Sequence, residues 1–118
     1  MDSILNSVKK MLGITEEYTQ FDPDIIMHIN SVLMILTQLG VGPSEGFSIK
    51  DKSSVWTDFV PENQTLESIK SYVYLKVRLI FDPPNSSIVE ASIEKMISEF
   101  EWRILVAVEP PSENESEE

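Results

Sequence analysis

The chain is expected to be all-α, and three observations lead there. Apolar residues recur at three- and four-residue spacing over long windows. The windows open on capping residues or proline, and they close on glycine or proline. The arrangement expected is a four-helix one, a short first helix and three longer helices, with a long loop between the second and third.

Asp2 and Ser3 can cap a first helix over about Ser3 to Leu12, with Ile4, Leu5, Val8, Met11 and Leu12 on one side and Gly13 at its end. Lys9 and Lys10 suit the negative end of the helix dipole. Ile14 to Phe21 reads as a linker. Asp22-Pro23-Asp24 then offers an N-cap, a proline at the first helical position and an acid in the first turn. Ile25, Ile29, Val32, Leu36 and Leu39 form the stripe of this second helix, Ile26 and Leu33 widen it, and Gly40 stops it.

Val41 to Val55 holds Gly42-Pro43, Gly46 and the polar run Lys50 to Ser54 around Phe47-Ser48-Ile49. It is expected to be a protruding loop suited to contacts, and it admits a short strand pair at Phe47 to Ile49. Trp56 to Val60 fits a short helical turn before Pro61. Asn63 or Thr65 can start the third long pattern, about Gln64 to Phe81, which is apolar around most of its circumference. A helix with so wide an apolar arc is expected to pack between several elements. Asp82-Pro83-Pro84 ends it, since Pro83 disfavours helical geometry at Asp82.

Ser86 or Ser87 restarts the chain as a helix to about Ala107, with Glu90 at capping-box spacing from Ser87. Its core stripe is read as Val89, Ile93, Met96, Ile97, Phe100 and Ile104, with Glu90, Glu94, Ser98 and Glu101 opposite. Trp102 falls off that stripe with Ala91 and Lys95.

At 118 residues with 42% hydrophobic content the chain fits one helical domain, residues 1–108, followed by an acidic tail, residues 109–118. Five acids fall in that tail beside Pro110 and Pro111, so it has little to bury and is expected to be disordered on its own. Cysteine is absent, which removes a disulfide framework, a thiolate nucleophile and cysteine-based metal sites. No apolar run reaches the roughly 18 residues of a membrane span and no leader pattern opens the chain, so a soluble, unprocessed protein is expected. The net charge of −11 argues against tight binding of a phosphate backbone.

No catalytic set stands out. His28 is the lone histidine, short of a zinc site. The carboxylate pairs Asp22/Asp24, Glu16/Glu17, Glu90/Glu94 and Glu99/Glu101 read as caps or wet faces rather than acid/base machinery. Gly40, Gly42 and Gly46 lack the spacing and following lysine of a phosphate loop. No catalytic residue, cofactor or metal is therefore expected. The residues that invite a role are those expected at an interface: Lys76, an ammonium centred on an apolar arc, Trp102, Trp56, Phe47 and Ile49. Lys76 either snorkels, pairs with a buried acid or reaches another chain. Trp102 either packs under the first helix or docks in an oligomer interface, where tryptophan is enriched.

The chain as a set resembles a tailed-phage head-to-tail connector of the adaptor type. The resemblance rests on Asp22 to Asn30, on Leu39 to Pro43 with Gly46-Phe47, on Trp56 to Phe59, on Tyr74 to Pro84 and on Ile97 to Arg103. It implies a helical subunit, not an enzyme, that assembles as a ring of about a dozen copies, docks on the portal and a head-closure or tail protein, and extends the channel through which DNA passes. It also implies a place in the neck of the virion, and in the host cytoplasm before assembly, without membrane contact. An acidic wall would keep passing DNA from sticking. The alternative is a monomeric acidic regulator that binds a host or phage protein, its tail mimicking nucleic acid.

Overall fold

The computed structural model describes residues 3–108, and the expected acidic tail, residues 109–118, lies outside them. Ser3 caps α1 (Ile4–Leu12) by accepting the Asn6 amide, and the Ile4 amide reaches back to the Ser54 carbonyl at 2.9 Å. At its end Gly13 takes φ +84. The Gly13 and Ile14 amides then return to the Lys10 and Lys9 carbonyls, the paired bonds that close a left-handed helix stop.

α2 (Asp22–Gln38) begins one residue earlier than its capping signal suggests. Asp22 is already helical, and Phe21 stands at the cap position without a side-chain hydrogen bond. The Asp22 carboxylate is engaged elsewhere, by Lys9. The α2 end repeats the α1 stop: Gly40 at φ +95 sends its amide to Thr37, and Val41 bonds Leu36 while burying its side chain.

The stretch after Gly40 is mostly exposed but is pinned at Val41 and Ile49, and among the described residues no strand pair forms at Phe47 to Ile49. Ile49 turns inward because the Asn30 side chain binds its backbone twice, accepting its amide at 2.8 Å and donating to its carbonyl at 3.0 Å. Phe47 packs on Phe59 with ring centroids 5.4 Å apart. The Val55 amide donates to Asp58 Oδ2 at 2.9 Å and starts α3 (Trp56–Phe59), whose Trp56 and Phe59 are buried. Trp56 satisfies its indole N–H on Ser7 Oγ at 3.2 Å.

Asn63 caps α4 (Gln64–Phe81) by accepting two amides, those of Thr65 and Leu66. As its wide apolar arc requires, α4 is the central helix, packed on α1, α2 and α5, with Leu66, Ile69, Tyr72, Val73, Leu75 and Val77 buried. α5 (Ser87–Val108) starts from Ser86 rather than Ser87: the Ser86 hydroxyl accepts the Val89 amide and its carbonyl accepts that of Glu90. Among the helices α5 packs mainly along α4. With one helical neighbour it buries a narrow stripe, Ile93, Ile97 and Ile104 with Phe100 half-covered, while Val89 and Met96, expected in the core, are exposed.

Candidate assembly interface

Seven of the thirteen large hydrophobics left exposed among the described residues are on α5, and three of them lie on its side turned away from the buried isoleucines. At 100° per residue, Ile88, Lys95, Trp102 and Val106 fall together, opposite Ile93, Ile97 and Ile104. Ile88 is 78% exposed, Trp102 66% and Val106 52%. Scattered exposed apolar residues are ordinary, and Trp102 is the largest apolar side chain that α5 leaves uncovered.

Where α5 meets α4, Tyr72 is buried and its hydroxyl donates to Glu101 Oε2 at 2.9 Å. Glu101 therefore belongs to the α4 contact rather than to the outer face expected of it. Burial raises the Tyr72 pKa well above its ordinary value of 10.0, and the hydrogen bond and charge of Glu101 add to the rise. Lys76 stands over the same ring, its Nζ 5.7 Å from the Tyr72 centroid. Half-buried, it has no carboxylate within ion-pair distance among the described residues, so it snorkels along the aromatic face.

The five residues expected at an interface are thus not brought into one patch. Trp102 lies outside, Lys76 and Phe47 are half-buried, and Trp56 and Ile49 are enclosed by the chain itself. The buried ammonium of the structure is a different one. Lys9, assigned only a dipole role from sequence, is 1% exposed, stands 2.9 Å from Asp22 Oδ1 and donates to the carbonyls of Glu16 and Tyr18. The Asp22 contact lies off hydrogen-bond angles, since that oxygen has no aligned donor, so it acts as an ion pair. Sequence offered one signal for it, a lysine beside Val8 on a short amphipathic helix with an aspartate at the next helix start.

His28 is half-buried and edge-on to Phe81 at 6.5 Å. Among the described residues no three His, Cys, Asp or Glu side chains gather as a metal site, and no helix is long and apolar enough to cross a membrane. What the arrangement offers is aromatic and aliphatic area exposed along one helix.

No curated protein and no solved structure matches the chain. The family described as phage connector protein matches residues 4–111, which takes in every helix from α1 to α5. The match spans nearly the whole chain, and the chain belongs to the phage connector protein family.

Proposed function

We propose that this connector protein is a ring-forming neck subunit that docks on the portal and extends the DNA channel, acting through contact rather than chemistry. The observation that carries the reading is the outward α5 face, with Trp102 at its centre. A surface tryptophan one turn from Val106, on the same helix face as Ile88 about 21 Å away, gives a second copy a large anchor of low conformational entropy. Lys76 and Phe47, both half-buried, are the remaining interface candidates. Trp56 and Ile49 serve the same end by holding the 41–55 segment in shape. About a dozen copies would line a channel through which DNA passes without specific binding, since a net charge of −11 per chain repels phosphate. Partners of this kind are a portal and a head-closure or tail protein, met first in the host cytoplasm and finally in the virion neck.

Native mass spectrometry of the purified chain, alone and with portal, tests the reading. The native chain is expected to form closed rings or portal-bound complexes, and Trp102→Glu to lose them while keeping its helical circular dichroism. A strict monomer that ignores portal at high concentration overturns it.

A further inference from the structure

A ring closes through a heterologous contact, in which one face of each copy meets a different face of the next, whereas like faces pairing give a closed dimer. The Trp102 face of α5 therefore needs an unlike counterpart on the same chain. α2 offers one. Between Asp24 and Glu45 the chain carries no Asp, Glu, Lys or Arg. Opposite the buried stripe of Ile25, Ile29, Val32 and Leu36, the side chains of Met27, Ser31 and Met34 face outward, with Met27 57% and Met34 58% exposed. An exposed helix face with methionines and no charges has the composition of an interface core rather than of ordinary surface. Beside Met34 the chain hollows into a cleft of about 480 Å³ between Thr37 on α2 and the turn from Ser44 to Phe47, room for one aromatic side chain. Its wall is fixed in place, since Asn30 at the cleft binds the Ile49 backbone twice.

Position matches as well. Phe21 and His28 lie against Phe81 at the end of α4, while Glu101 of α5 holds Tyr72, half a turn away on the α4 wheel at 100° per residue. α2 and α5 thus flank α4, and both run against its direction. Their ends adjoin beside the start of α4, where a Cβ at Gly40 would lie 3.0 Å from Val108 Cγ1. Met34 precedes Gly40 by six residues and Trp102 precedes Val108 by six, so both stand at about the same height, roughly 9 Å from that common end. Equal height suits a rotation without climb, whereas an offset would wind copies into an open filament. Lys95, two turns before Trp102 on the same line, is opposite in sign to Glu45, the one charged residue lining the cleft.

We propose that the outward face of α5 seats on the outward face of α2 in the next copy, with Trp102 entering the cleft between Met34 and Phe47. This contact rests on ring formation and names the surface that receives Trp102.

The chain has no cysteine, so introduced thiols report the contact without background. Ser31→Cys, one turn before Met34, and Ser98→Cys, one turn before Trp102, are made in separate chains, mixed in the presence of portal and treated with a short bismaleimide. A covalent dimer is expected from the mixture and from neither variant alone. A chain carrying both substitutions is expected to give a ladder of dimers, trimers and larger species. Dimers from one variant alone, the sign of like faces pairing, overturn the proposal, and so does a mixture without dimers. Native mass spectrometry of that sample separates the two ideas: rings without crosslinks leave ring formation standing and refute this contact, whereas a strict monomer refutes both. In a second measurement Met34→Lys is expected to weaken assembly about tenfold, and Met11→Lys, at an equally exposed methionine of α1, to leave it unchanged. Equal effects of the two also overturn the proposal.

Discussion

Lys9 Nζ lies 2.9 Å from Asp22 Oδ1, and the same ammonium donates to the Glu16 and Tyr18 carbonyls at 3.1 and 2.8 Å. One buried cation therefore ties the end of α1, the linker and the start of α2. Asp22→Asn leaves that ammonium without its counter-charge. Because Asp22 is 21% exposed, the expected loss is about 2 kcal/mol, below the range for fully enclosed pairs. Urea unfolding of Asp22→Asn, Lys9→Met and the double variant measures it, and a coupling energy near zero in that cycle would show the pair to be idle.

The Tyr72 hydroxyl keeps its proton in the folded chain at pH values where an unfolded tyrosine, with an ordinary value of 10.0, has lost it. Above pH 10 the unfolded state thus holds fewer protons than the folded one, and stability falls as pH rises, by up to about 1.4 kcal/mol per pH unit for this one group. Its contribution is complete below pH 10. Unfolding free energies measured from pH 8 to 11 should fall less steeply for Tyr72→Phe than for the native chain. Parallel curves would remove Tyr72 from the account.

Asn30 holds the 41–55 segment by two hydrogen bonds to the backbone of one residue, Ile49. Asn30→Ala is expected to cost about 2 kcal/mol, at roughly 1 kcal/mol per bond. Amide exchange at Ile49 should rise more than at Leu33 or Val73, which sit in helices. Equal rises at all three would mean that the change acts on the whole fold rather than on this tether.

Gly13 and Gly42 both hold positive φ, yet they differ in surroundings. A Cβ at Gly13 meets open space, whereas one at Gly42 would lie 2.5 Å from the Phe59 ring. Gly13→Ala is expected to cost about 1 kcal/mol of backbone strain, and Gly42→Ala clearly more, because Phe59 must also move. Thermal melts of the two variants give the order, and a Gly13→Ala variant melting as low as Gly42→Ala would show that the Phe59 contact adds nothing.

Helix ends were the most legible part of the sequence because their causes are local. Gly13, Gly40, Asn63 and the Asp82-Pro83 pair each act through their own backbone or a neighbour's amide, and the helices end where those residues stand. The central place of α4 was legible too, since an apolar arc that wide needs several partners. Burial on α5 was not, because Val89 and Met96 have the right spacing but no second helix to cover them. Lys9 and Ile49 depended on partners outside their own segments, linker carbonyls for one and Asn30 for the other. Trp102 could be placed off the stripe from periodicity alone, whereas the inward turn of Trp56 required Ser7, forty-nine residues away, as a hydrogen-bond partner.

α5 leans chiefly on one helix, through three isoleucines and a half-covered phenylalanine. Such a hairpin limb has its own threshold for coming loose, lower than that of the α1, α2 and α4 cluster behind it. Transient detachment of the limb would bare Tyr72 while the remaining helices kept their mutual packing, so the molecule has two tiers of cohesion rather than one. Anything that grips the free side of α5 therefore also fastens its inner side, and the limb becomes firmest when it is held from both.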